Sequence, residues 1–161
     1  MNPIYLDRNT SVTSSFTLSK LFGQNVPGGL SQVGNLTINR NLNGGGLSLS
    51  YDYFADGFTD TYLGSHQLSA RANMYFGNLM LNSFFLKSLD QDRYSVQADA
   101  SFRINRDMRL SYAYTFDRVF GGSYMDYYFV LGYRLGYREF GLTWSQRTKR
   151  FGFQLLGTTF N

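Results

Sequence analysis

From Arg93 to Phe116 apolar and polar residues alternate one by one. Tyr94, Val96, Ala98, Ala100, Phe102 and Ile104 fall on one parity, and Arg93, Ser95, Gln97, Asp99, Ser101 and Arg103 on the other. After Asn105-Arg106-Asp107 the alternation resumes. Met108, Leu110, Tyr112, Tyr114 and Phe116 oppose Arg109, Ser111, Ala113, Thr115 and Asp117. Successive side chains of a strand point to opposite faces, so the pattern predicts a long hairpin with one apolar and one polar face. Each strand holds about ten alternating residues, against a mode of roughly 5–6 in globular proteins. A tilted strand of about 9–11 residues crosses a bilayer.

The same period predicts strands over 11–22, 30–40, 47–55, 66–76, 79–89, 126–134, 138–146 and 151–157, besides 93–104 and 108–116. The strand over 79–89 is the least regular, because Phe84 and Phe85 put apolar groups on both faces. Gly77-Asn78 reads as a tight hairpin turn. The connections over 23–29, 56–65 and 117–125 read as long loops, and most of those between them as tight turns. Tight turns on one rim and long loops on the other mark outer-membrane barrels, with the long loops outside the cell. The expected fold is all-β: an antiparallel up-and-down transmembrane β-barrel of about ten strands, or a ten-strand portion of a larger one. Residues 1–10 form an N-terminal extension in this scheme, 11–157 the barrel domain and 158–161 a C-terminal tail.

Composition supports an all-β chain. Aromatics reach 18%, with 15 Phe and 13 Tyr, and Pro3 and Pro27, the two prolines, lie outside the expected strands. Proline cannot donate to a strand ladder, so its scarcity fits. No apolar run approaches the ~18–20 residues of a membrane helix, which leaves a barrel as the way to cross lipid. No signal-peptide pattern follows Met1, so a secreted barrel would be a mature chain or a piece of a longer protein. A soluble ligand-binding β-barrel also alternates, but its apolar parity would be a packed interior. Here that parity is rich in rings: Tyr94, Phe102, Tyr112, Tyr114, Phe116, Tyr127, Phe129, Tyr133 and Trp144 are the expected lipid-facing aromatics.

The chain lacks cysteine, which excludes disulfide and thiolate chemistry. Its net charge of +4 is scattered, which argues against a nucleic-acid face. On the barrel reading Asp52, Arg71, Asp99, Arg103, Arg109, Asp117, Arg134 and Glu139 point inward. They are expected to form a lumen charge network, since an unpaired buried charge costs several kcal/mol; a small pore is the alternative. His66, the single histidine, has Ser65 and Asp60 near it in sequence, the parts of a hydrolase or acyltransferase site. Adjacent strand residues face opposite ways, so a solvated loop histidine explains it more simply. Asp56, Asp60, Asp90 and Asp92 lack the ligand spacing of a calcium loop and suit turns. Gly44-Gly45-Gly46 has no Lys-Ser/Thr and no helix after it, so it is not a phosphate loop. Arg147, Lys149 and Arg150 form a basic cluster that would meet anionic lipopolysaccharide by charge, or else a solvated turn. No enzyme activity, cofactor or metal is expected. Membrane lipids, lipopolysaccharide and a protein partner in an envelope complex are the expected partners, and the bacterial outer membrane the expected location.

Three stretches, DMRLSYAYTFD (107–117), YFVLGYR (128–134) and LTWSQRTKRFGFQLLG (142–157), resemble the C-terminal barrel region of the lipopolysaccharide-assembly outer-membrane protein family, also called the organic solvent tolerance family. The resemblance spans roughly 93–157. It implies a much larger barrel that holds a lipoprotein inside and opens between its first and last strands to export lipopolysaccharide. This chain is too short for that barrel and lacks the cysteines that members often carry. Its Phe160 is penultimate and out of phase with Phe151, Phe153 and Leu155. The resemblance therefore implies a fragment of such a barrel, or a smaller barrel with the same strand pattern.

Overall fold

The computed structural model describes residues 2–20, 30–56 and 66–156. The described residues contain eleven strands: β1 (Ile4–Tyr5), β2 (Thr10–Lys20), β3 (Leu30–Leu42), β4 (Gly45–Asp56), β5 (His66–Phe76), β6 (Leu79–Ser88), β7 (Arg93–Arg103), β8 (Met108–Val119), β9 (Gly122–Leu135), β10 (Arg138–Ser145) and β11 (Arg150–Leu156). All belong to one antiparallel sheet whose spatial order is the sequence order. Among the described residues no helix is long and apolar enough to cross a membrane, which says nothing of crossing by strands.

Register follows the alternation. Ile38 sits between Val12 and Leu49, Leu49 beside Ala70, and Ala70 beside Phe85. Farther along, Phe85 meets Val96, Val96 meets Phe116, and Leu110, Leu131, Leu142 and Phe153 form a row. A slip of one residue at any ladder would send a strand's apolar set to the wrong side, so one continuous apolar face fixes every register. The irregular β6 obeys the same rule. Phe85 joins the apolar face, while Phe84 lies on the polar one with the Arg71 guanidinium 5.2 Å from its ring centre.

Turn chemistry sets the corners. Between β8 and β9 the connection is Phe120-Gly121, both in the left-handed region at φ +48° and +81°. Two such residues give a turn whose twist matches that of the strands it joins. The long loop expected over 117–125 is therefore a two-residue turn, and the pairing runs to Val119↔Gly122. At the N-terminal end, the Asp7 carboxylate accepts the Asn9 amide at 2.7 Å and the Thr10 hydroxyl at 3.0 Å. These bonds hold its pKa below the ordinary value and shape the bend from β1 into β2.

The expected barrel is not formed. Each strand touches only its neighbours in sequence, and β11 meets neither β1 nor β2. Alternation specifies two faces, and a flat sheet, an open curved sheet and a closed barrel all have two faces; the pattern carried no information about closure. The transmembrane barrel and the pore through its lumen fall with it, as does a soluble barrel enclosing a ligand. Among the described residues no second layer covers either face. The accessible surface is 11605 Å², against about 8,200 Å² for a compact monomer of this mass. Val130 is the buried apolar side chain among the described residues, and Ser88 and Glu139 are the buried polar ones. All three belong to the polar parity, pairing with Ser111, Gln67 and Arg134. A hollow of about 420 Å³ on that side is lined by Gln97 and Asp99 of β7, Arg109 of β8, Val130 of β9 and Gln154 of β11. The strip from β7 to β11 is thus bowed about its polar side.

Candidate functional surface

The apolar face runs without a break from β2 to β11. Its rings gather in groups. Tyr112, Tyr127, Phe129 and Trp144 lie with centroids 5.0–6.3 Å apart. Tyr94 stacks on Phe116 at 5.3 Å, with the Lys87 ammonium 5.6 Å from the Tyr94 ring. Phe102 and Tyr133 carry the same parity toward the opposite rim, beside Leu110 and Phe140. All nine aromatics expected on the apolar parity are thereby placed on one face.

Charge on that face has a simple distribution. Lys20, Arg40, Lys87, Arg118 and Arg138 carry its parity, and each lies within two residues of a strand end. No Asp or Glu shares that parity within β2–β11. The middle of the face is uncharged from edge to edge and mostly aliphatic or aromatic, Ser14 and Ser83 being its polar members, and many of its residues are exposed, among them Leu36, Leu49, Leu110, Phe129 and Leu131.

The polar face holds Asp52, Arg71, Asp99, Arg103, Arg109, Asp117, Arg134 and Glu139. They share a face but not one network. The Arg109 Nε donates to Glu139 Oε1 at 2.7 Å, with Glu139 2% exposed. Asp52 accepts the Asn35 side-chain amide at 2.6 Å, and Asp99 that of Asn82 at 2.7 Å. Arg134 Nε donates to the Gly136 carbonyl. Arg103 stands opposite Arg109 in the ladder. Sequence reasoning missed the amide partners Asn35 and Asn82. Their signal was present: each carries the same parity as the carboxylate on the next strand.

His66 lies on the other side. Its Nδ1 and the Tyr51 hydroxyl share a hydrogen bond at 2.6 Å, and its ring is 5.0 Å from that of Tyr53. The carboxylates of the strands face away from it. Ser65 and Asp60 lie outside the described residues, as do the loop over 23–29, most of that over 56–65, and the tail. Among the described residues no group of three His, Asp or Glu side chains could hold a metal ion. In the last turn Arg147 stacks over Tyr124, 5.0 Å from its centre, and donates to its hydroxyl. Lys149 takes a positive φ of +51° there, so this basic cluster is held by the turn and an aromatic ring.

The class these observations define is an open antiparallel all-β sheet with an uncovered apolar face. No protein-family model, no curated protein and no solved structure matches the chain. The resemblance to the lipopolysaccharide-assembly barrel family is accordingly corrected. The quoted stretches are strands of alternating pattern with a basic turn, which any such sheet shares, and the closed barrel that the family requires is absent. The outer-membrane assembly and export role drawn from that family goes with it.

Proposed function

We propose that the chain is a non-catalytic sheet module whose apolar face lies against membrane lipid and whose polar face is turned away from it. The observation that carries this reading is the placing of charge: cations alone, confined to strand ends, around an uncharged middle. Lysine and arginine at the border of an apolar band lay their stems along it and send their heads to the polar boundary. Anionic headgroups at that boundary attract them. Tyrosine and tryptophan suit the same depth, having apolar rings and a polar atom. The non-catalytic part rests on His66, which is engaged by tyrosines on the face opposite the strand carboxylates.

Trp144 is the single tryptophan and sits on the apolar face, so it reports on what covers that face. Vesicles of anionic phospholipid with brominated acyl chains should quench its emission and shift it to the blue. Emission that stays red and unquenched at saturating lipid, or quenching matched by a water-soluble quencher, would reject lipid as the occupant and leave another protein's apolar surface.

A further inference from the structure

Among the described residues the two long edges of the sheet are bare, and they match. On one side β1 pairs with β2 only at Ser11 and Val12, and residues 14–20 are all exposed. On the other side the seven residues of β11 pair with β10 and nothing else. Phe153 is 89% exposed and Phe151 72%, whereas Leu142, one strand inward in the same row, is 37% exposed. The excess is the area that a neighbouring strand would cover. Neither edge carries a usual guard against pairing. There is no proline in either segment, and the charges, Lys20 and Arg150, stand at the ends.

Direction and phase also agree. From β2 to β11 there are ten strands in strict antiparallel order, so β2 and β11 run opposite ways. When β2 of one copy is laid beside β11 of another, the pair is antiparallel and both apolar faces stay on the same side. Residues directly opposite share a face, so the even positions of β2 must meet the odd positions of β11. Two registers do this with near-full overlap. One sets Phe16 against Phe153 and Leu18 against Phe151; the other sets Leu18 against Phe153 and Phe16 against Leu155. In both, Ser15, Thr17 and Ser19 fall against residues of the polar parity and no like charges stand opposite within the two strands; in the first register Lys20 falls opposite Lys149 of the turn before β11, which favours the second.

We propose that copies of this chain join head to tail by strand addition, β11 of one pairing with β2 of the next. Main-chain hydrogen bonds supply the attraction, and the Phe16–Leu18 and Phe151–Phe153–Leu155 rows set the register. Such an interface is heterologous, so it extends into rings or open arrays. A turned-over pairing of β11 with β11 would leave the β2 edges bare. The inference stands on the edges alone and holds in detergent as in lipid.

The chain has no cysteine, so introduced thiols report pairing cleanly. One batch carries Phe153→Cys; a second carries Phe16→Cys and a third Leu18→Cys, one for each register. Mixed in detergent and oxidised, the first batch with the second or the third should give a reducible species of twice the chain mass. None of the three should give it alone. Proline at position 154 or 155 of the Phe153→Cys chain should abolish it in one case, because outward-pointing amides alternate along an edge strand. Mixtures that stay at one chain mass would overturn the proposal. So would a dimer formed by Phe153→Cys alone, which means β11 against β11, or a bond found only within a single chain carrying both cysteines, which means self-closure. Failure here leaves the Trp144 result intact, and the reverse also holds.

Discussion

Gly132 shows how a single absent side chain makes room for a buried charge. It stands in β9 between Arg109 of β8 and Gly141 of β10. A Cβ there would overlap Glu139 Oε1 and come within 3.0 Å of Glu139 Cδ and 3.2 Å of Arg109 Cγ. The Arg109–Glu139 bond therefore crosses β9 over a glycine. Gly132→Ala should cost about 1–3 kcal/mol, the usual penalty for forcing atoms into a filled site. Glu139→Ala should cost about 1.5–3 kcal/mol by removing a charged hydrogen bond, the lower end being favoured because Arg109 can rehydrate. Made together the two should cost less than their sum, since the alanine at 139 vacates the space. Urea unfolding of the four proteins in a double-mutant cycle checks this, and strict additivity would refute it. The sequence placed Arg109 and Glu139 on one parity. It did not show their pairing, which depends on the registers of two ladders at once and on a residue with no side chain.

At the scale of elements, strands were far more legible than their connections. Period-two alternation is a local property, and every one of the ten long strands lies where it predicts. The β8–β9 corner escaped because Phe120 is a poor announcement of a positive φ; asparagine or aspartate would have signalled the turn before Gly121. Phe120 is 65% exposed and takes a backbone conformation that costs a non-glycine residue roughly 1–2 kcal/mol. Phe120→Asn should thus stabilise the hairpin, by about 0.5–1 kcal/mol, with a matching rise in the unfolding midpoint. Gly121→Ala should do the opposite, having φ +81°. An unchanged or lowered midpoint for Phe120→Asn would mean that its ring contributes more than the backbone loses.

For the whole molecule, the apolar face was written in the sequence and closure was not. Faces come from parity within each strand; closure depends on whether the two edge strands meet, and no residue pattern encodes that by itself. If lipid covers the apolar face, the effect of a new charge depends on which face carries it. Ala70 lies mid-strand between Leu49 and Phe85 on the apolar face, and Ser69 beside it lies between Ser50 and Leu86 on the polar face. Ala70→Arg should weaken partition into vesicles by about 1–3 kcal/mol, the cost of setting a cation in the middle of a face that lies against acyl chains. Ser69→Arg, with the same added charge, should change it little. Equal losses from both would show that the two faces are not treated differently by lipid.

Every strand leans only on those before and after it in the chain, and this gives the sheet the mechanics of a zipper. Any hairpin offers a place to begin, and each further strand is drawn from residues close at hand, which keeps loop-closure costs small. Order propagates one rung at a time, as in a linear array. The same arrangement means that a fault at one rung divides the molecule there, with no core behind it to hold the halves together.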